Sequence, residues 1–171
     1  MSKLNFFDVD KCYINFLKKT ENDARGFTCI PDVVYGTIRK FLCGIVLVIN
    51  DCNYYVPLSS NKNKSSESIL IEFTNDRYNQ VKGSLRFNYM FPVPNKCITE
   101  RIIRNEPDLK RRLFLNSQLQ FCNDNITQIQ NQAKRTYTRV VKNMSPSLTR
   151  NSCDFLLLEK ACKQWESDLT Q

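Results

Sequence analysis

Between residues 33 and 92 the apolar positions run in continuous or alternating stretches; beyond Asp108 they recur every three or four residues. The first regime predicts strands and the second helices. Phe41 to Ile49 is apolar on both faces, as in a central strand covered on both sides. Asn50-Asp51-Cys52-Asn53 and a second run, Tyr54 to Leu58, follow it, which predicts a hairpin. Ser68 to Thr74 alternates, with Ile69, Ile71 and Phe73 on one side. Asn75 to Asn79 reads as a turn, and Gly83 to Pro94 alternates again as a single strand ended by Pro92 and Pro94. Val33 to Tyr35 is β-prone and leads through Arg39-Lys40 into the first long strand. Short connections between such strands imply an antiparallel sheet, here expected to curl into a small barrel.

Helices flank this block. Val9, Tyr13, Phe16 and Leu17 define one face of a helix over Asp8–Lys19 with Asp8 as N-cap, and Thr20 to Pro31 reads as loop. Neither Gly nor Pro occurs between Pro107 and Pro146. Leu109, Leu113, Leu119, Cys122, Ile126, Ile129, Ala133, Tyr137 and Val140 keep helical spacing there. Asn123-Asp124-Asn125 competes for backbone hydrogen bonds and splits that run into two helices. After a break at Met144–Ser147, Asp154 to Leu169 forms a last helix that turns Phe155, Leu158, Cys162 and Trp165 inward. The reading is one α+β domain spanning residues 1–171, a bent antiparallel barrel with helices around it.

Composition narrows the chemistry. Lys+Arg 25 against Asp+Glu 17 gives a net charge of +8, which favours a polyanionic partner, nucleic acid ahead of an anionic membrane surface. Histidine is absent, which removes the commonest general base, any Ser-His or Cys-His pair and the commonest metal ligand. The eight cysteines form no CxxC pair, so a structural zinc is not expected. The N-terminal stretch has no signal-peptide core and no segment approaches a membrane span, so a reducing, cytoplasmic setting is expected, with most cysteines acting as small core residues.

The segment Ser59-Ser60-Asn61-Lys62-Asn63-Lys64-Ser65-Ser66 cannot build a core. Its hydroxyls and amides donate hydrogen bonds and its lysines carry charge, which suits phosphate. Composition alone favours a solvated loop, with the serines as turn residues. Lys110-Arg111-Arg112 reads equally as a solvated helix face or as contacts to a nucleic-acid backbone; Lys134-Arg135-Arg139-Lys142 recurs at helical spacing as a candidate for such contacts, but near a helix C-terminus the dipole favours cations anyway. Tyr54, Tyr55, Phe87 and Tyr89 are candidates for base stacking or for core.

Five stretches together resemble the ToxN/AbiQ endoribonuclease toxins of bacterial type III toxin–antitoxin systems. They are Phe41–Leu47, Tyr55–Lys62, Asn88–Pro94, Gln118–Phe121 and Cys153–Lys160, in order over nearly the whole chain. The resemblance implies a PemK/CcdB-like toxin fold. It implies metal-independent, cofactor-free cleavage of single-stranded A-rich RNA, leaving 2′,3′-cyclic phosphate and 5′-hydroxyl ends. It also implies a repeat-RNA pseudoknot antitoxin that closes three toxins and three RNA units into a ring, and a role in phage defence by abortive infection.

Carried onto this sequence, the family's hydroxyl-hydroxyl-x-lysine motif falls on Ser59, Ser60 and Lys62, and a lysine before the first long strand falls on Lys40. Tyr35 is the nearest counterpart of a family tyrosine, with a one-residue register shift. Arg39, Lys64, Lys110, Arg111 and Arg112 are the expected RNA-binding cations. Transesterification by an RNA 2′-OH needs phosphorane stabilisation, which Lys40 and Lys62 can supply, and in-line positioning, which Ser59 and Ser60 can supply. Two other readings remain open at this point: a non-catalytic RNA-binding module using the same groove, and a gyrase poison, since the CcdB-like barrel hosts that function too.

Overall fold

The computed structural model describes residues 3–35, 38–75 and 78–169; the side chains at 34–35, 38–39, 74–75 and 78–79 are outside the description. The chain opens with β1 (Asn5–Val9) and α1 (Lys11–Arg25), then a two-residue ladder of β2 (Val34–Tyr35) with β3 (Ile38–Arg39). β4 (Leu42–Ile49), β5 (Cys52–Ser59), β6 (Ser68–Asn75) and β7 (Tyr78–Arg86) form the body of the sheet, followed by β8 (Phe91–Pro92) and β9 (Ile98–Glu100). The rest is helical: α2 (Leu109–Asp124), α3 (Ile126–Val141), the short α4 (Pro146–Arg150) and α5 (Phe155–Asp168).

The main sheet is antiparallel throughout and runs β6-β7-β5-β4-β1-β9, with β8 added on β5. No pairing joins its ends, β6 and β9, among the described residues. The sheet is therefore open, which corrects the expected closed barrel. β5 divides one of its edges between two partners. Tyr54 and Tyr55 pair with β8, whereas Leu58 and Ser59 pair with β7, so two different strands share one edge.

The predicted β4–β5 hairpin is present, with a two-residue turn. Asn50 and Asp51 both have positive φ (51° and 61°), which Asn and Asp tolerate and which matches the twist of the flanking strands. Gly44 stands opposite Tyr55, and a Cβ there would lie 2.3 Å from that ring. The position admits glycine because the aromatic ring fills its space.

Three expected boundaries move. α1 starts at Lys11, capped by Asp10 rather than Asp8, which lies in β1; it continues to Arg25, through residues expected to be loop. Glu21 explains the extension. It is fully buried and accepts from Arg25 Nη1, Thr28 Oγ1, and the amides of Cys29 and Asp154, each at 2.7 Å. Gly26 then stops the helix at φ 79°. The single strand expected over Gly83–Pro94 is broken. β7 ends at Arg86, a 3₁₀ turn covers Phe87–Tyr89, and β8 follows. Phe87, Met90 and Phe91 are all buried, so the turn serves packing that strict alternation would not allow. The long helical run does split at Asn125, but Leu109 and Leu113 are exposed, and Leu115, Gln118 and Cys122 face inward.

Helices cover the sheet: α2 packs on β6, α3 on β4, and α5 on β8 and α1. Trp165 sits against Tyr13 and Phe16 of α1, sealing helix to helix rather than helix to sheet. Tyr54, Tyr55 and Phe87 are core side chains, not base-stacking ones. All eight cysteines are free and six are buried; burial pushes the Cys162 thiol up to about 12.

One buried polar group ties the hairpin to the helices. Glu159 on α5 accepts from Tyr54 Oη (2.7 Å), Tyr137 Oη (2.8 Å) and Asn50 Nδ2 (2.9 Å). Burial, then the adjacent carboxylate, pushes both tyrosine hydroxyls well above the ordinary phenol range, so they remain donors. Glu159→Ala strands these donors and is expected to lower stability by about 3 kcal/mol, with Glu159→Gln costing about half of that because an acceptor remains. Urea unfolding with unchanged m value measures both.

Candidate active site

The site lies where β4 begins and β5 ends. Leu42 pairs with Pro57, and the Leu58 amide donates to the Phe41 carbonyl at 3.0 Å. That register brings Lys40 and Ser59 out as the next positions on neighbouring strands. The Lys40 amide donates to the Val33 carbonyl (2.8 Å), which ties the start of β4 to the β2–β3 ladder. Tyr35 and Arg39 lie in that ladder, but their side chains fall outside the described residues.

Ser59 starts a tightly organised loop. Its Oγ accepts from the Asn61 amide (3.1 Å), and Asn61 Oδ1 accepts from the Asn63 amide (2.8 Å). Both are local side-chain turns of the kind Ser and Asn favour. With its oxygen so engaged, Ser59 keeps its hydroxyl hydrogen as a donor. Ser60, Lys62 and Lys64 are exposed around this turn.

Both ends of the loop are anchored, which the sequence did not reveal. On β7, Ser84 Oγ donates to the Asn61 carbonyl at 2.6 Å. Arg86 reaches Ser84 Oγ through Nε (2.9 Å), and the carbonyls of Asn63 (2.8 Å) and Asn61 (3.4 Å) through Nη2. At the far end the buried carboxylate of Glu67 is paired with Arg139 and accepts from Thr136 Oγ1, both on α3. Gln132 adds a bond to the Ser66 carbonyl (3.0 Å). The loop is thus a strapped segment rather than a free one. Arg139, one of the candidate nucleic-acid contacts, is used in this strap.

Gly83 completes the platform. Its φ is +130°, and a Cβ there would lie 2.8 Å from the Ser59 carbonyl. Beside it, Gln118 Nε2 donates to the Lys82 carbonyl (2.7 Å), and Lys82 Nζ lies 4.4 Å from the Phe73 ring centre and 5.9 Å from that of Phe114. Gln118, Phe114 and Arg111 recur on one side of α2, and through Gln118 and Phe114 this helix borders the platform at Lys82.

The Lys110-Arg111-Arg112 run is divided by the helix. Arg111 pairs with Glu106 (3.3 Å), and its guanidinium lies 5.8 Å from the Phe41 ring centre. Arg101, absent from the expected set, shares that ring at 5.0 Å and that carboxylate at 2.9 Å. Arg112 is 3.5 Å from the Arg104 carbonyl, and Lys110 is exposed. Adjacent helical residues point in different directions, and only Arg111 of the three borders Phe41. Beyond the loop, a groove of about 320 Å³ runs past Lys64, Ser68, Phe121, Asn125 and Gln128. It continues past Asn125 and Gln128 into one of about 550 Å³ lined by amides, Thr127, Asp124 and Arg135.

Arg86 and Ser84 carry no sequence signal of their own within the alternating stretch Gly83–Pro94. Glu67, a lone acid after a basic segment, was the one usable signal for the far anchor. Glu67→Ala is expected to loosen the loop by about 1.4 kcal/mol and raise tryptic cleavage after Lys62 or Lys64 about tenfold, read by mass spectrometry under native conditions.

Known proteins resemble this chain over nearly its whole length. The family described as Toxin ToxN, type III toxin-antitoxin system, matches residues 5–163. Endoribonuclease AbiQ of Lactococcus lactis subsp. lactis is 29% identical over 168 residues, covering 91% of this chain and 86% of the relative. Endoribonuclease ToxN of Bacillus thuringiensis subsp. kurstaki is 28% identical over 170 residues, covering 94% and 84%. The solved structure of AbiQ, a lactococcal anti-phage endoribonuclease of the type III toxin–antitoxin system, superposes with a TM-score of 0.80 at 26% identity, covering 97% of this chain and 99% of that one. A toxin described as selectively inhibited by a non-coding RNA pseudoknot has a TM-score of 0.83 at 24% identity, covering 96% and 99%, and supports the fold.

Proposed function

The chain belongs to the ToxN family of type III toxin–antitoxin toxins, and we propose that the Ser59–Lys64 loop together with Lys40 is its RNA-cleaving centre. The activity is that of an endoribonuclease, with a role in phage defence. The observation that carries the site assignment is the strapped loop: Ser59, Ser60 and Lys62 stand on one pinned turn at the end of β5, and Lys40 stands at the start of the neighbouring strand.

The chemistry follows from those groups. The 2′-oxygen of the RNA attacks the adjacent phosphorus, the bond to the 5′-oxygen breaks, and a 2′,3′-cyclic phosphate and a 5′-hydroxyl result. The 2′-hydroxyl loses its proton and the leaving oxygen gains one. The Lys40 and Lys62 ammonium groups stabilise the phosphorane charge, and the Ser59 and Ser60 hydroxyls donate to its non-bridging oxygens. The nucleophile belongs to the substrate, so no covalent enzyme intermediate forms. Tyr35 is the candidate for an additional proton carrier, and Arg39, Lys64, Lys110, Arg111 and Arg112 extend the binding of the strand. Neither metal nor cofactor takes part.

The finer identity follows the family. The substrate is single-stranded A-rich RNA. The partner is a repeat-RNA pseudoknot that blocks the site, in a ring of three toxins and three RNA units. The chain acts as one domain over residues 1–171 in the bacterial cytoplasm, on the bent-sheet architecture of PemK/CcdB-type toxins.

Incubation of the chain, stripped of nucleic acid, with A-rich RNA in EDTA tests this reading. Discrete cuts with cyclic-phosphate ends are expected. Lys62→Ala should slow them by about a hundred- to a thousand-fold, corresponding to about 2.7–4 kcal/mol of barrier, and abolish toxicity. Tight binding without cuts would make the loop a phosphate clamp of an RNA-binding module. Affinity for the strand should fall with salt at a log–log slope of about −0.7 per phosphate neutralised; a flat titration would contradict a backbone-binding groove.

A further inference from the structure

The proposed site uses side chains; the way its loop is pinned points to backbone groups as well. Arg86 and Ser84 hold the carbonyl of Asn61, and Arg86 also holds that of Asn63, all on the β7 side of the loop. In a trans peptide unit the carbonyl of one residue and the amide N–H of the next point in opposite directions. Drawing the Asn61 and Asn63 carbonyls toward β7 therefore turns the N–H groups of Lys62 and Lys64 away from β7, toward the exposed side. The intervening amides are already used: that of Asn61 on Ser59 Oγ and that of Asn63 on Asn61 Oδ1. The amides of Lys62 and Lys64 thus share the open side of the loop with two ammonium groups and the Ser60 hydroxyl.

We propose that Arg86 is a positioning residue of the cleavage reaction, and that the two outward amides, Lys62 N–H and Lys64 N–H, are additional donors to the RNA phosphate. This rests on the reading of the loop as the cleavage site and deepens it. Oriented backbone amides are effective anion ligands because they cost no reorganisation when charge develops. Arg86 need not touch the RNA to act. Its two carbonyl contacts fix the tilt of both peptide units, and its position on a central strand keeps that tilt rigid. Arg86 lies within the alternating stretch Gly83–Pro94, and its contacts give it a task there.

The test has two arms. In the first, the full wild-type chain is titrated with a 2′-O-methyl oligoribonucleotide, which binds but carries no nucleophile, and the amide resonances are followed by NMR. Downfield shifts of the Lys62 and Lys64 amide protons are expected, and their absence while the strand is bound overturns the amide assignment. In the second arm, Arg86→Gln is expected to lower kcat about 100-fold with KM within about twofold, and Arg86→Lys, which keeps one charged donor, to recover about tenfold. Wild-type kcat in Arg86→Gln, or a raised KM with kcat intact, overturns the positioning role. If Arg86→Gln does not fold, Arg86→Lys and the wild-type titration carry the test. Lys62-dependent cleavage by the wild type tests the site reading itself, so failure of that reading is distinguishable from failure of this inference.

Discussion

The structure depends on how one strand, β5, divides its outer edge. Its first half pairs with β8 through Tyr54 and Tyr55, and its second half pairs with β7 through Leu58 and Ser59. β4 holds the other edge along its full length, apart from a register shift between Gly44 and Leu47. This division requires β7 and β8 to be separate strands, which the 3₁₀ turn at Phe87–Tyr89 supplies. The β5–β7 register places the far end of β5 beside β7. Ser59 is at that end.

Buried carboxylates fix the pieces around this strand, each in a different way. Glu21 anchors the last turn of α1 and receives the start of α5; Glu159 joins the hairpin tip to α3 and α5; Glu67 joins the loop to α3. Each gathers several donors, the condition under which a buried acid does not destabilise the fold. The same accounting changes the meaning of the positive charge. Arg25, Arg139, Arg101 and Arg111 all face acids. A charge of +8 is therefore an imprecise guide to the binding surface. The cations around the loop turn, Lys62 and Lys64, are exposed and sit among hydroxyls and amides.

Much of the fold was legible because local signals and tertiary contacts agreed. The β4–β5 hairpin carries Asn-Asp at its turn, and the α2–α3 break carries three consecutive Asn or Asp residues. The misreadings have a common cause. α1 was cut short because Asn22-Asp23 is a loop signal, and Glu21, which overrides it, acts through Thr28, Cys29 and Asp154. β7 and β8 were fused because alternation continues through Phe87–Phe91, although both faces there are buried. Leu109 and Leu113 fitted the helical period but lie on the solvent side, since the helix faces the sheet through Leu115, Gln118 and Cys122. Periodicity identifies a face; it does not say which face meets the core. Sheet closure was over-read for a similar reason, since short connections specify neighbours and not whether the last strand meets the first.

The site divides along the same line. Ser59, Ser60, Lys62 and Lys40, the residues of the proposed centre, were singled out by the family resemblance, on a segment that composition alone reads as a solvated loop. Arg86, Ser84, Gly83 and Glu67 act on backbone atoms or on other side chains, so nothing about their own residue types marked them. A histidine-free centre makes this second group more important. Without a side chain that titrates near neutrality by default, the rate must come mainly from placing fixed charges and dipoles against the phosphorus. Placement of that kind is a property of backbone geometry, and here the backbone of the loop is held by β7 at one end and by α3 at the other. The residues that set the geometry are therefore as much part of the site as those that would meet the phosphate.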